Sequence, residues 1–267
     1  VKKKLLIVFS SIVLVCLYLP ILILILFSFN KSRINAEWTG FTFKWYLNLF
    51  GSPQVVDAFI NSILIAIITT ILSTVLGTIC ALAIHRYKYK FSKLISGLVY
   101  LPIVVPDILM GISLLILFTS FHFELGSMTI IIAHVTFCIS YVVILLTARL
   151  SGMSKDLEDA ASDLGATPMQ TFKYVTLPAI MPGIIASSLL CFTLSIDDFV
   201  ISFFVSGPSS TTLPIYIYGM VKKGVTPEIN AISTILILTI ISLMVLSEVF
   251  RTKGMKREKS EKKSFIV

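Results

Sequence analysis

The chain has 267 residues, 56% of them hydrophobic and 13% charged, with a mean hydropathy of +0.95 and a net charge of +8. That balance excludes an ordinary soluble domain, and apolar runs of about 20 residues are what ~30 Å of hydrocarbon demands. The positive charge does not point to nucleic acid, because the basic residues sit in short loops and tails between apolar runs, where they fix orientation. Barrel strands would be far less hydrophobic, and a backbone in lipid must satisfy its own hydrogen bonds, so the expected class is all-α and polytopic. Six spans are predicted, at 5–29, 58–84, 94–120, 128–147, 183–205 and 229–250, within one transmembrane domain covering 1–267.

The first span follows Lys2-Lys3-Lys4. Its apolar run is about twice a signal-peptide core and no small-x-small site follows, so an uncleaved anchor is expected. Tyr18 lies within it, and Trp45 in the segment that follows; both rings could make cation–π contact, and Trp45 with Tyr46 could equally be interfacial anchors. Lys31, Arg33, Lys44, Lys222 and Lys223 fall in the segments on one side of the membrane, and the rest of the 22 Lys and Arg on the other. The positive-inside rule then places both termini in the cytoplasm. Cys16, Cys80, Cys138 and Cys191 all lie in apolar runs and read as small buried hydrophobes.

The third span carries Asp107 just after Pro102 and Pro106, and the fifth carries Asp197 and Asp198. A carboxylate at mid-span has an insertion cost of about 2.5–3.5 kcal/mol, so it faces a cavity or a partner. Counted along straight helices, Asp107 and Asp197 are about 13 and about 14 residues from the cytoplasmic ends, roughly 20 Å deep in both cases. No Lys or Arg lies at that depth, so the three carboxylates read as unpaired and suited to a cationic substrate. The two prolines free carbonyls that would line a cavity or a protein contact. The alternative is that one of Asp197 and Asp198 bonds a neighbouring helix, since adjacent residues point about 100° apart. His134, mid-span, reads as a helix-packing residue.

The segment 148–182 is the longest cytoplasmic connection. Met153, Leu157, Ala160, Ala161 and Leu164 recur at helical spacing. Ser154 is a candidate N-cap, with Asp156, Glu158 and Asp159 in the early turns, where negative charge suits the helix dipole. Gly165 is a stop, and Thr167-Pro168-Met169-Gln170 a second start with a capping box. Leu177-Pro178 and Met181-Pro182 are expected to end the second short helix. Such a pair can dock into a partner or lie on the bilayer, and the acidic first helix disfavours anionic headgroups.

Asp159-Ala160-Ala161, then Gly165, then Val175-x-Leu177-Pro178 resembles the EAA loop of permease subunits in binding-protein-dependent ABC importers. Asp159 stands where Glu is common and Val175 where Ile is common. Phe43-Lys44-Trp45-Tyr46, Leu101–Asp107, Ser195–Phe199 and Thr226–Ala231 extend the resemblance to spermidine/putrescine permeases. The resemblance implies a type I ABC importer permease fold in a bacterial inner membrane. It implies that Glu158, Asp159, Ala160, Ala161, Gly165, Leu177 and Pro178 couple the chain to an ATPase. It implies a second permease subunit, a cytoplasmic ATP-binding dimer, an extracytoplasmic substrate-binding protein meeting 30–57 and 206–228, and a polyamine substrate, whose spaced ammonium groups suit Asp107, Asp197 and Asp198.

No catalytic or metal-binding constellation is expected. The nearest approach to a phosphate loop, Gly219–Thr226, has Val225 where Lys is required. ATP would therefore be used by the partner ATPase, with no cofactor on this chain. The rivals are an ABC permease for another solute, such as an iron complex, a thiamine compound or an anion, and an ion-coupled secondary transporter.

Overall fold

The computed structural model describes residues 2–32, 37–86, 92–224 and 226–264, with side chains described for 4–32, 37–86, 94–224 and 226–245. Arg33, Lys88, Lys90 and Val225 lie outside the described residues, as do the side chains of the basic tail 251–263.

The described chain is helical: α1 (Lys2–Phe27), α2 (Lys44–Phe50), α3 (Pro53–Arg86), α4 (Ser92–Val104), α5 (Asp107–Ser120), α6 (Ser127–Ser151), α7 (Asp156–Asp163), α8 (Pro168–Thr171), a π turn (Phe172–Thr176), α9 (Leu177–Asp197), α10 (Val200–Val205), α11 (Leu213–Lys223) and α12 (Pro227–Ser264). Five stretches are long and apolar enough to cross a membrane: Lys4–Phe27, Pro53–Arg86, Ser127–Ser151, Pro168–Asp197 and Pro227–Val245. A sixth is a bent pair, Leu94–Val104 with Asp107–Ser120. These correspond to the six predicted spans, with two differences.

The third span is not straight. It turns by 107° between Val104 and Asp107. Pro106 has no N–H for the Pro102 carbonyl and pushes Val105 away from helical geometry. The chain restarts at Asp107, with Pro106 at φ −57°, ψ 137°. The straight-helix depth of Asp107 is therefore corrected: it heads a new helix.

The fifth span begins earlier and ends earlier than 183–205. Leu177-Pro178 and Met181-Pro182 do not stop it, and the second helix of the loop is the first part of one run, Pro168–Asp197. In the π turn the Leu177 N–H reaches five residues back to the Phe172 carbonyl. Pro178 then stands in the first turn of α9, where a missing N–H costs little. The run breaks instead at Asp198, which has extended geometry at φ −64°, ψ 122°.

Contacts divide the chain into two units, Val1–Phe59 with Leu213–Ile240, and Ile60–Thr212 with Ile241–Val267. In the first, Trp45, Leu49, Val55, Ala58, Leu213, Ala231 and Ile232 form the core. The Trp45 indole N–H donates to the Asn30 carbonyl at 2.7 Å. Phe29 stacks on Phe41 and meets Tyr46. The apolar window of α1 has no residue buried.

In the second unit α6 is the central element, packed against α4, α9 and α10. Ile130, Cys138, Val142, Leu146, Ile180 and Cys191 are fully or almost fully buried there. Cys138 and Cys191 are free thiols, each directed at the other's carbonyl at 3.8 and 3.6 Å. Cys16, in contrast with the sequence expectation, is exposed on α1. Gly77 lets α3 close on α6, since a Cβ there would come within 2.6 Å of Val142 Cβ.

Gly77→Val is therefore predicted to overpack this contact and cost about 1–3 kcal/mol. Gly97→Ala has open space around it and should be neutral or gain up to ~1 kcal/mol. Thermal unfolding in detergent compares the two, and equal midpoints would contradict the packing described.

Candidate functional site

The break after α9 separates two neighbouring carboxylates. Asp197 is the last residue of α9 and is exposed, and among the described residues no other side chain hydrogen-bonds it. Asp198 is turned the other way. Its carboxylate accepts the N–H groups of Ser202 at 2.8 Å and Ile201 at 3.4 Å, capping α10. It also meets His134 Nε2 at 3.2 Å.

His134 is fully buried on α6. Its Nδ1 lies 2.7 Å from Ser195 Oγ, and its Nε2 lies 3.0 Å from Ser202 Oγ. A carboxylate can only accept, so Nε2 carries the proton that faces Asp198, and in the neutral ring Nδ1 then receives the Ser195 hydroxyl. One imidazole thus ties α6 to α9 and α10. The expectation that all three carboxylates are unpaired is corrected for Asp198: its partner is a histidine, which a search for Lys and Arg alone passes over.

Asp107 is exposed at the N-terminus of α5, where the helix dipole favours negative charge. One turn on, Gly111 allows close approach of α10: a Cβ there would meet the Phe204 ring at 2.7 Å. Asp107 thus shares a face with a residue packed on α10, the element that begins at the Asp198 break. Contacts within the second unit bring Asp107, Asp197 and Asp198 to neighbouring elements. Tyr18, exposed on α1, and Trp45, 3% exposed in its own core, belong to the first unit.

The loop before α9 forms from local signals. Ser154 Oγ accepts the Asp156 N–H at 3.2 Å. Gly165 takes φ +82° and closes α7. Thr167 and Gln170 make a reciprocal capping box with Pro168 at the helix start. The side chains of α7 are arranged inside out. Leu157 is 54% and Leu164 90% exposed, as is Met169 of α8 at 72%. Asp159, Ala160 and Pro178 are exposed, and Ala161 and Leu177 are half-covered. Glu158 faces inward instead, pairing with Arg86 Nη2 at 2.7 Å and receiving the Thr176 hydroxyl. A cavity of about 370 Å³ opens beside it, lined by His85, Arg86, Met153, Lys155, Glu158 and Thr171 among others.

Burial works to raise the Glu158 pKa. The hydrogen bonds from Thr176 and Arg86 and the charges of Arg86 and His85 outweigh it, and the carboxyl is held below its usual range. A depressed carboxylate adds stability above its unfolded pKa and loses it only as pH falls through the lower folded value, so the pair is charged at neutral pH.

A family model described as the binding-protein-dependent transport system inner membrane component matches residues 73–253. The chain belongs to this family. Two of its relatives are the spermidine/putrescine transport system permease protein PotC of Haemophilus influenzae and the putrescine transport system permease protein PotI of Escherichia coli. The first is 40% identical over 246 residues, 92% of this chain and 96% of that protein. The second is 40% identical over 228 residues, 83% and 81% respectively. Among solved structures, a bacterial ABC transporter involved in import of the acidic polysaccharide alginate superposes with a TM-score of 0.71 at 17% identity, covering 96% of each chain. The MetNI methionine ABC transporter gives 0.65 at 14% identity, covering 76% of this chain and 99% of that one. The fold of this family member is that of type I ABC importer permeases, and it is a multi-pass inner-membrane protein. Family membership sets aside the ion-coupled secondary transporter.

The two adjacent carboxylates are predicted to respond differently to neutralisation of their surroundings. His134→Ala removes a buried ring and its hydrogen bonds to Asp198, Ser195 and Ser202, and should cost about 2–4 kcal/mol. Asp197→Asn should change stability by no more than ~0.5 kcal/mol. Equal thermal stability of the two variants in detergent would argue that the network is not structural.

Proposed function

We propose that this chain is one permease subunit of an ATP-driven importer that moves polyamines, spermidine or putrescine, into the cell by alternating access. It shapes the path and transmits force, while ATP is hydrolysed by a cytoplasmic ATP-binding dimer and no cofactor resides on this chain. A second permease completes the path, and an extracytoplasmic binding protein delivers substrate to the segments 30–57 and 206–228. Both termini lie in the cytoplasm.

The observation that carries the substrate class is the pair of relatives, named for spermidine and putrescine, that are 40% identical over most of their length. The chemistry of the second unit agrees with it. Asp107 and Asp197 are carboxylates without a side-chain partner among the described residues, at the ends of interrupted helices, where freed backbone carbonyls add acceptors for ammonium groups. Asp198 serves the path by fixing the break that leaves Asp197 free. Trp45 and Tyr18 are assigned weaker roles: the Trp45 ring is enclosed in a core, and Tyr18 is available to a cation or a neighbouring helix. The exposed Leu157, Ala160, Leu164 and Met169 form the surface that enters the ATPase cleft, with Asp159, Ala161, Gly165, Leu177 and Pro178 shaping it.

Uptake of labelled spermidine and putrescine should vanish in cells lacking only this chain and return with a plasmid-borne copy. Unchanged uptake, in a strain with no second polyamine system, would leave the family assignment standing and move the substrate to another solute. Asp107→Asn and Asp197→Asn should each lower polyamine uptake by about 10-fold or more, as expected for loss of a charge-assisted contact, without loss of the ATPase from the complex. Normal uptake at normal expression would remove that residue from the path.

A further inference from the structure

The helix α7 has no buried residue among its eight. A helix that short does not hold itself together in water. It packs chiefly against α8 and the π turn, and it is bounded by Gly152 and by Gly165, a left-handed glycine. Its apolar side chains point away from the protein, so a partner pressing on Leu157 and Leu164 would roll α7 about its own ends unless something ties it down.

Glu158 is that tie. Its Oε1 accepts Arg86 Nη2 at 2.7 Å and the Thr176 hydroxyl at 2.5 Å, and Arg86 Nη2 also reaches Thr176 Oγ1 at 3.2 Å. The donors and acceptors balance. Two N–H groups of one guanidinium nitrogen supply Glu158 and Thr176, the threonine accepts one bond and donates one, and the carboxylate oxygen accepts two. The three residues stand at mechanically distinct places. Arg86 is the last residue of α3, Thr176 the last of the π turn that runs into α9, and Glu158 the inward face of α7. Thr176 is fully buried, which anchors the triangle on the protein side. The 370 Å³ cavity is lined by Arg86 and Glu158, so a load applied there falls on two corners of the triangle.

We infer that Arg86 and Thr176 are positioning residues for energy coupling: through Glu158 they clamp α7 to the ends of α3 and α9, so that displacement of α7 moves both long helices. The clamp rests on the reading of this loop as the surface that receives the ATPase. An arginine suits the position because its rigid fork serves two acceptors at once, which a lysine ammonium on a flexible stem does not hold in place.

The experiment uses the complete complex of both permeases and the ATP-binding subunits in proteoliposomes, with labelled spermidine as substrate. Three quantities are read: retention of the ATP-binding subunit on a tagged copy of this chain, ATP hydrolysis, and spermidine transported per ATP. Arg86→Gln and the near-isosteric Thr176→Val should retain the ATPase and hydrolyse ATP, while transport per ATP falls about tenfold for Arg86→Gln and less for Thr176→Val. Thr176→Ser and the exchanged pair Arg86→Glu with Glu158→Arg should recover part of the loss. Single variants with an unchanged transport ratio, or an exchanged pair no better than Arg86→Glu alone, would overturn the clamp. If the unaltered chain did not retain the ATP-binding subunit, the docking reading itself would fall. If the unaltered complex retained the subunit but moved no spermidine, the substrate assignment would be wrong, and the same ratio read with the true solute would then decide the clamp.

Discussion

A break in a helix inside a membrane exposes backbone N–H and C=O groups that lipid cannot satisfy. The second unit is organised around covering such breaks with side chains. At the start of α10 the Asp198 carboxylate takes the N–H groups of Ile201 and Ser202. At its end the Thr129 hydroxyl reaches the Val205 carbonyl at 2.7 Å. Just beyond, Ser210 Oγ accepts the Gly207 N–H, and the Asn61 amide donates to the Ser209 and Thr211 carbonyls. The six residues of α10 and the loop that follows are therefore held by polar groups from α6 and α3 as well as from adjoining residues. His134 has to be buried because it stands behind this arrangement, holding the capping carboxylate.

The loop between α6 and α9 is governed by the opposite constraint. Here water satisfies the backbone freely, and the question is what apolar surface is left uncovered. In an ordinary surface helix the apolar stripe faces inward. In α7 the inward position is held by Glu158, while Leu157, and Leu164 just past its end, look out. A solitary exposed leucine would carry no meaning, but a helix with nothing buried and its polar group turned inward presents an apolar surface outward. The salt bridge itself is half-covered and worth little to global stability. Its importance lies in which elements it joins.

How much of this was legible in the sequence follows from the range of the interactions involved. The cap at Thr167 and the stop at Gly165 are local contacts found as the sequence predicts, whereas α7 is capped at Lys155, with the Ser154 hydroxyl one residue ahead accepting the Asp156 N–H. The six spans are equally legible, because hydrophobicity over 20 residues is a property of the segment alone. The π turn was not, because it carries the helix into Pro178, which would otherwise end it. Pro106 signals free carbonyls but not a 107° turn, since a proline kink and a proline break look alike in sequence until the neighbours are known. His134 with Ser195, Asp198 and Ser202, and Arg86 with Glu158 and Thr176, join residues far apart in the chain. The one available signal was a histidine amid apolar residues, which needs polar partners wherever it lies.

Adjacency of Asp197 and Asp198 is not redundancy. On an unbroken helix the two would diverge by about 100° and face different neighbours at one level. Ending the helix between them divides the tasks. Asp198 commits its oxygens to two backbone N–H groups and an imidazole, so its capacity to accept from a cation is largely used. Asp197 closes the preceding helix with no such partner among the described side chains. A cation that must be bound and then released needs the second kind of carboxylate, one whose hydrogen bonds are not already made by the protein. It also needs the first kind, because a free carboxylate on a mobile helix end would have no fixed position. The break thus places two adjacent carboxylates in different surroundings, Asp198 capping α10 and held by the histidine on α6, Asp197 exposed at the end of α9.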